Sequence, residues 1–263
     1  MPTSIIAPLF VPASRPDRFS KAAACGTDAV ILDLEDAVGR EAKDTARDAL
    51  DPSFTDLPVI VRVNAVGTPW HDADIAAVRD AGFAAVMLSK SEDPESVASV
   101  AEDAAMPTIA LIETALGLAN ARAIAALNGV TRLAFGSIDY CADLGCAHER
   151  NILLAARSEL VLASRLAGIA APIDGVTARI NDTDELAADT AHARDIGMTG
   201  KLCIHPKQID GVKAAFMPGE GEIEWARRVL ASGDGAASVN GEMVDEPVRI
   251  RARAILARAG AAN

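Results

Sequence analysis

Aromatic and basic side chains are scarce in this sequence, and both shortages restrict its function. Phe, Tyr and Trp make up 3% of the 263 residues, with two Trp and one Tyr. That composition argues against a stacking platform for single-stranded nucleic acid. Lys and Arg number 25 against 37 Asp and Glu, a formal net charge of −12, which argues against a basic face for duplex nucleic acid. We therefore expect no nucleic-acid partner.

Long apolar runs and paired cysteines are also missing. The four cysteines are scattered and include no CxxC pair, so we expect reduced thiols rather than disulfides or metal ligands. No uninterrupted apolar run approaches the roughly 18 residues of a membrane span. The first segment is broken by Pro8 and Pro12 and lacks a basic start, so it is a poor signal peptide. The sequence thus predicts a cytoplasmic protein with no membrane partner.

What the sequence does contain is a regular alternation of strand and helix signals. Ala-rich amphipathic stretches separate eight short apolar runs, at 4–11, 28–34, 58–64, 84–90, 108–114, 132–137, 171–173 and 200–205. Runs that are apolar on both faces are typical of parallel strands covered by helices. Eight such units predict an α/β protein with a (β/α)8 TIM barrel. A doubly wound open sheet is the alternative, but the usual glycine-rich turn after the first strand is missing.

The C-terminal part of the chain has a different pattern. We expect the barrel domain to occupy residues 1–217 and a helical extension to occupy 218–263. Gly, Ser and Asp interrupt the helical pattern at 232–241, where we expect a loop. Pro247, preceded by acidic residues, predicts the start of a last helix.

Two carboxylates at predicted strand ends are candidate metal ligands. A TIM barrel builds its site at the carboxyl ends of its strands, and Glu113 and Asp139 follow the fifth and sixth. Without a His or Cys companion they suit Mg²⁺, which prefers oxygen ligands and retains several waters. In the alternative interpretation Glu113 pairs with Lys90 and Asp139 caps the following helix.

Basic residues occur at two further places near the expected mouth. Arg62 lies inside a buried strand, where it needs a carboxylate partner from the DLED segment at 33–36 or from a substrate. The first loop carries Arg15, Arg18 and Lys21, a group that suits an anion such as phosphate, although these residues taken alone favour a solvated loop with ordinary surface ion pairs. His205, just before a proline, is as often structural as catalytic, and we do not assign it as the base.

Six motifs in register connect the chain with a known family: LFVPASRPDR, AVILDLEDAV, VRVN, LIETALGL, FGSIDYCADLG and GKLCIHPKQI. From about residue 5 to 258 the chain resembles the citrate lyase β-subunit-like branch of the HpcH/HpaI aldolase superfamily. The resemblance implies a Mg²⁺-dependent lyase, with Mn²⁺ as a substitute. Its substrate would be a 3-hydroxy-3-carboxyacyl-CoA of the citramalyl-CoA or malyl-CoA type. Retro-Claisen cleavage would release acetyl-CoA and a 2-oxo acid, pyruvate or glyoxylate.

The resemblance also implies residue roles. Glu113 and Asp139 match the family's metal ligands, and Arg62 matches the arginine that binds the substrate carboxylate or oxyanion. Asp245, in the tail motif GEMVDEP, matches a catalytic aspartate that exchanges a proton with the acetyl carbon. The implied contacts to substrate and CoA are Phe10, Arg15, Lys21, Arg62, Glu113, Ile138, Ile204 and His205. Glu35 and Asp36 match an acidic pair beside the metal waters and the arginine.

Assembly and rival functions follow from the same resemblance. In CoA lyases of this family the tail reaches over a neighbouring subunit, so residues 218–263 would act as a lid in a homo-oligomer, commonly a trimer or a hexamer. Four alternatives stay open. They are a citrate lyase β subunit acting on a citryl-carrier-protein thioester, an HpaI-type aldolase that uses no CoA, a malyl-CoA thioesterase, and a non-catalytic binding barrel.

Overall fold

Eight short parallel strands, rich in Val, Ile and Leu, form the centre of the molecule. The structure, a computed structural model, describes residues 5–233, 235, 237–239 and 241–260. The strands are β1 Leu9–Pro12, β2 Val30–Asp33, β3 Val59–Val63, β4 Ala85–Leu88, β5 Thr108–Ile112, β6 Val130–Phe135, β7 Ala170–Asp174 and β8 Gly200–Lys201. Each of the eight apolar runs in the sequence thus supplies one strand.

The strands pair in chain order and close into a barrel. Neighbouring strands from β1 to β8 are parallel, as in the registers Ile31 to Ile60 and Val61 to Val86. Closure comes from hydrogen bonds between the segments at the two edges: the Phe10 amide donates to the Cys203 carbonyl at 2.9 Å. The predicted (β/α)8 TIM barrel is therefore confirmed, and the open-sheet alternative is wrong.

Helices alternate with the strands along the chain, and further helices follow the last strand. They are α1 Phe19–Ala23, α2 Lys43–Asp48, α3 His71–Val78, α4 Pro94–Ala104, α5 Ala115–Ala119, α6 Ala121–Ala125, α7 Ser137–Leu144, α8 Leu154–Ala167, α9 Thr183–Asp195, α10 Ile209–Phe216, α11 Glu220–Ala231 and α12 Glu246–Gly260. Short 3₁₀ turns occupy Pro16–Arg18, Arg40–Ala42 and Pro206–Gln208. Among the helices described, none combines the length and apolar character needed to cross a membrane.

Side chains from alternate strand positions fill the barrel interior. The inner cluster consists of Ile5, Ala29, Ile31, Ile60, Ala85, Met87, Ile109, Leu111, Ala134, Ile173 and Leu202. On β3, Val59 and Val61 flank Ile60 and are also buried, because they point outwards under the helices. Burial on both faces explains why these strands are continuous apolar runs.

One buried ion cluster joins the last two barrel strands to α8. The Asp174 carboxylate contacts Arg157 Nε at 2.7 Å and Lys201 Nζ at 2.9 Å, and all three residues are at most 2% exposed. Burial would raise the pKa of Asp174, but the two cations reverse the effect and lower it. Because removing one partner would leave a buried charge uncompensated, this cluster is a structural anchor of the β7–β8 side.

The chain divides into two compact units, one ending at Lys213 and the other beginning at Ala214. This division falls within α10, a few residues before the boundary expected from the sequence. In the second unit, α11 and α12 pack through a small apolar cluster that includes Ala226, Val229 and Ile255. The last helix begins at Glu246, one residue before the expected Pro247.

The prediction of a loop at 232–241 is wrong for part of that segment. Strands β9 Ala237–Val239 and β10 Glu242–Val244 form an antiparallel hairpin. The sequence carries the signal for it, because Asn-Gly between two short runs favours a tight hairpin turn. Gly241 of that dipeptide has a φ of 83°, a conformation that glycine adopts without a side-chain clash.

Candidate active site

A cavity of about 410 Å³ opens at the carboxyl ends of the barrel strands. Its charged lining residues are Asp33, Asp36, Arg62, Glu113 and Asp139, and its apolar lining includes Leu111, Phe135, Val176 and Leu202. Ile138 and Ile204 also face it, and they are 45% and 39% exposed. The cavity therefore combines an acidic side with an apolar floor, as small-molecule sites do.

Glu113 follows β5 and lies deep in this cavity, with 1% of its surface exposed. The Lys90 backbone N–H donates to Glu113 Oε1 at 2.7 Å. The carboxylate packs directly on Gly136, where an added Cβ would lie 2.3 Å from Glu113 Oε2. Burial, reinforced by the negative charge of Glu35, raises the pKa of Glu113 to about 8. A divalent cation beside the carboxylate would favour its charged form.

Asp139 lies in the first turn of α7, half-buried at the same cavity. Gly136 is the N-cap residue of α7, and no side chain accepts a capping hydrogen bond there. The Gly136 N–H donates to the Ile112 carbonyl at 2.9 Å, so Asp139 does not accept it. The alternative in which Asp139 caps the helix is therefore wrong. The alternative pairing of Glu113 with the Lys90 ammonium is wrong as well, because that ammonium pairs with Glu35 and Lys90 meets Glu113 through its backbone N–H.

Arg62 projects from β3 into a cage of acidic groups. Its Nε and Nη2 donate to the two Asp33 oxygens at 2.7 and 2.6 Å, and its Nη1 lies 2.9 Å from Glu35 Oε2. The expected partner from the DLED segment is thus present. Burial disfavours the guanidinium charge, but Asp33 and Glu35 outweigh it, so the pKa of Arg62 is raised. Two of its five N–H groups donate to Asp33, and the Nη1 contact with Glu35 is an ion pair without hydrogen-bond geometry, which leaves three N–H groups for an incoming oxygen.

Three more residues implied by the resemblance are Phe10, Glu35 and Asp36. The Phe10 ring is half-buried, and its centroid lies 4.8 Å from the Arg62 guanidinium carbon. Glu35 is 7% exposed and accepts a 2.8 Å hydrogen bond from Lys90 Nζ, whereas Asp36 is exposed on the cavity wall. The structure thus brings Phe10 and Glu35 against Arg62 and places Asp36 at the entrance.

The charge of the cavity fits a divalent cation. Four carboxylates line it against one guanidinium, and burial leaves Glu113 poorly solvated. Within the described part of the chain, no three His, Cys, Asp or Glu side chains form a metal-binding group. A cation here would therefore have Glu113 and Asp139 as protein ligands and oxygens of water or substrate as the others. Mg²⁺ is bound in this way in many enzymes.

A second cavity, about 630 Å³, adjoins the first through Phe10, Pro12 and Ile204, which line both. Arg15, Arg18, Lys21 and His205 bring positive and polar groups to it. The Arg15 guanidinium pairs with Asp17 at 2.8 Å, so part of the basic group is already neutralised. His205 Nδ1 accepts the Lys207 N–H at 3.2 Å and starts a 3₁₀ turn, which is a structural role.

Asp245 belongs to the second compact unit, just before α12. Its Oδ1 accepts the Val248 N–H at 3.3 Å, the contact that an N-cap aspartate makes with the first turn of a helix. Seven of the implied site residues thus line the barrel cavity, and Glu35 contacts one of them, Arg62. The adjoining cavity adds Arg15, Lys21 and His205, and the assignment of Asp245 to catalysis stays a prediction.

Comparison with known proteins places this geometry in a family. The family model described as HpcH/HpaI aldolase/citrate lyase matches residues 7–206, which contain every residue that lines the two cavities. The chain belongs to this family. A citrate lyase subunit beta-like protein of Mycobacterium tuberculosis is 40% identical over 266 residues, which cover 97% of this chain and 96% of that protein.

Two further relatives define the range of activities in the family. A (3S)-malyl-CoA thioesterase of Cereibacter sphaeroides is 35% identical and covers 96% of this chain and 94% of its own length. The crystal structure of CitE from M. tuberculosis, in complex with magnesium, acetoacetate and coenzyme A, superposes with a TM-score of 0.88. Its sequence is 38% identical, with 98% of each chain covered. The family therefore contains enzymes that act on CoA esters.

Several residues that shape the site have no individual role in the sequence-based assignment. Asp33 ends β2 and makes the closest contacts to Arg62, which the DLED motif suggests without specifying the residue. Ser137 is 1% exposed in the cavity lining, and its hydroxyl lies 2.9 Å from His148 Nε2. An added Cβ on Gly175 would lie 2.1 Å from Ser137 Oγ, so this position needs glycine. Lys90 connects Glu113 with Glu35, and no local motif announces that role.

Proposed function

We propose that this protein is a Mg²⁺-dependent carbon–carbon lyase. Its substrate would be a 3-hydroxy-3-carboxyacyl-CoA of the citramalyl-CoA or malyl-CoA type, cleaved to acetyl-CoA and pyruvate or glyoxylate. The observation that carries the proposal is the pairing of Glu113 and Asp139 with Arg62 in one acidic cavity beside a basic one. The acidic cavity suits the hydroxy acid end, and the basic cavity suits the phosphates of CoA.

Glu113 and Asp139 would hold the Mg²⁺, with Mn²⁺ as a substitute. When bound, the ion supplies Lewis-acid polarisation of the substrate hydroxyl and carboxylate oxygens. Arg62 is oriented by its hydrogen bonds to Asp33 and its ion pair with Glu35, and its remaining N–H groups would bind a substrate oxygen. That arrangement complements negative charge on the oxygen as the carbon–carbon bond breaks.

The proton balance of cleavage requires an acid in addition to these groups. The substrate hydroxyl loses its proton to water in the cavity, and the electron pair of the broken bond passes to the α-carbon of the thioester. That carbon must gain a proton to become the methyl group of acetyl-CoA. We assign this step to Asp245, supplied by the C-terminal unit of a neighbouring subunit in a homotrimer or hexamer.

Arg15 and Lys21 would contact the phosphates of CoA, with Phe10, Ile204 and His205 along the path between the two cavities. Ile138, which faces the first cavity, would contact the reacting end of the thioester. These side chains would hold the substrate in place while Glu35 and Asp36 flank the reacting oxygens. We place the enzyme in the cytoplasm.

A thioesterase is the second candidate, because relatives at 35% identity are (3S)-malyl-CoA thioesterases. A citrate lyase β subunit that uses a carrier-protein thioester is the third, since a protein of that name from Leuconostoc mesenteroides is 35% identical over 96% of this chain. The three differ in their products or carriers. A lyase forms acetyl-CoA and a 2-oxo acid, whereas a thioesterase forms free CoA and the intact hydroxy acid.

The test is product analysis by mass spectrometry with both stereoisomers of citramalyl-CoA and malyl-CoA, with Mg²⁺ and with EDTA. The proposal expects acetyl-CoA and a 2-oxo acid that form only with the metal. Free CoA with intact malate or citramalate would establish the thioesterase instead. If no free CoA ester reacts but a citryl-carrier protein does, the third candidate is correct. Size-exclusion chromatography with light scattering tests the oligomer in the same preparation.

A further inference from the structure

Lys90 has an unusual backbone conformation at the edge of the acidic cavity. It follows β4 and has a φ of 47°, in the left-handed region that side-chain-bearing residues rarely adopt. Residues held in this region need support from their surroundings, and such positions concentrate at functional sites. Lys90 makes one contact through its backbone N–H and another through its side chain.

The neighbours of Lys90 fix the turn on both sides. The Ser89 hydroxyl donates to the Val63 carbonyl at 2.8 Å, and the Ser91 amide donates to the Leu111 carbonyl at 3.1 Å. The turn is thus tied to β3 in one direction and to β5 in the other. Between these ties, the Lys90 N–H points at Glu113 Oε1, 2.7 Å away.

The side chain of Lys90 makes a separate connection. Its Nζ donates to Glu35 Oε1 at 2.8 Å, and Glu35 Oε2 lies 2.9 Å from Arg62 Nη1. Glu35 is thus shared between two cations and has little freedom to rotate. The Lys90 side chain is 38% exposed and that of Glu35 is 8% exposed, so the ion pair is open to solvent on the lysine side.

We infer that Lys90 is a positioning residue that fixes two functional groups through two different atoms. Its backbone N–H orients Glu113, and its ammonium orients Glu35 and, through Glu35, Arg62. The inference rests on the proposed function, in which Glu113 binds the metal and Arg62 binds the substrate oxygen. It follows that side-chain substitutions of Lys90 impair the Arg62 function and leave the metal-binding function intact.

Three substitutions separate these roles. Lys90→Met keeps the length and the backbone N–H but removes the ammonium. Lys90→Gly also removes the ammonium and accommodates the left-handed conformation at no steric cost. Lys90→Arg keeps a cation beside Glu35. Lys213→Met is the matched control, because Lys213 also forms one ion pair, with Asp28, at 34% exposure, and Asp28 precedes β2 at the opposite end of the barrel.

The experiment measures three quantities for each variant: the Kd of Mn²⁺, the Kd of pyruvate in the presence of Mn²⁺, and kcat and KM with the active thioester. Calorimetric titration supplies the two binding constants, and thermal unfolding shows that each variant is folded. Lys90→Met and Lys90→Gly should weaken pyruvate binding and lower kcat/KM by about 10-fold to 100-fold, as loss of groups that orient a ligand typically does. Mn²⁺ affinity should not weaken, since a nearby positive charge is lost. Lys90→Arg should recover most of the loss, and Lys213→Met should behave like the wild type.

Two results would overturn the inference: unchanged pyruvate binding in Lys90→Met, or Mn²⁺ binding that weakens as much as pyruvate binding in all three Lys90 variants. Failure of the proposed function looks different. In that case the wild type binds Mn²⁺ and pyruvate but cleaves no CoA thioester, and the pyruvate measurements still decide the role of Lys90. A wild type that binds neither Mn²⁺ nor pyruvate would refute the site on which both depend.

Discussion

Replacing Glu113 by Gln should make the metal-free protein more stable while it destroys metal binding. The carboxyl group is 1% exposed, and its pKa of about 8 lies far above its ordinary value of 4.5. At any pH between these two values, Glu113 keeps its proton in the folded protein but has lost it in the unfolded chain. Ionisation thus favours the unfolded chain, so this group lowers stability progressively as the pH rises from 4.5 to 8.

The size of the effect follows from the two pKa values. One pKa unit corresponds to about 1.4 kcal/mol, so the cost of keeping Glu113 folded reaches about 3 kcal/mol at pH 7 and about 1 kcal/mol at pH 5.5. A neutral Gln keeps an oxygen that can accept the Lys90 N–H and has no charge to bury. For a protein of this size, about 3 kcal/mol corresponds to roughly 6–12 °C in Tm, the upper limit of the expected gain.

Differential scanning calorimetry in EDTA at pH 5.5, 7 and 8.5 measures this directly. The Tm difference between Glu113→Gln and the wild type should grow with pH, whereas Mg²⁺ should stabilise only the wild type. Glu102→Gln, an exposed carboxyl on α4, is the control and should show no such trend. A variant that is less stable than the wild type at every pH, or equal stabilisation of both by Mg²⁺, would refute the reasoning.

Four further outcomes follow. Because a proton competes with the metal at Glu113, Mn²⁺ affinity should fall by about tenfold per pH unit below pH 8; titration calorimetry checks this, and a flat profile would contradict it. Arg62→Lys cannot reproduce the two contacts to Asp33, so kcat should fall by about 10-fold to 100-fold in steady-state assays while Mn²⁺ binding persists. Lys21→Ala should raise KM for the thioester without lowering kcat; a lower kcat with unchanged KM would exclude its role in CoA binding. Asp245→Asn should lower kcat with unchanged Mn²⁺ affinity; weaker Mn²⁺ binding with unchanged kcat would exclude its role in proton transfer.

The barrel could be predicted from the sequence because each strand carries its own signal. Runs such as those around Ile31 and Ile60 are apolar on both sides, which only a covered parallel sheet requires. The strand-end rule then brought Glu113, Asp139 and Arg62 to one mouth without any knowledge of distances. These features are local or follow from the order of the strands, so they can be predicted from a single sequence.

The remaining features depend on contacts between distant segments. Lys90 touches Glu35, 55 positions earlier, and Asp174 pairs with Lys201, 27 positions later. No local pattern states that a given lysine will use its backbone for one carboxylate and its ammonium for another. The β9–β10 hairpin is a different case, since its Asn-Gly signal lies in the sequence, inside a glycine-rich segment whose composition favours a loop.

A crystal structure grown with Mn²⁺ and pyruvate would test the central claim most directly. The claim is that Glu113 and Asp139 together bind the divalent cation and that Arg62 faces the substrate oxygen. The anomalous signal of Mn²⁺ should then lie between these two carboxylates, about 2.0–2.2 Å from an oxygen of each, with pyruvate between the ion and Arg62. Anomalous density at any other group, or none in this cavity at saturating Mn²⁺, would contradict the claim.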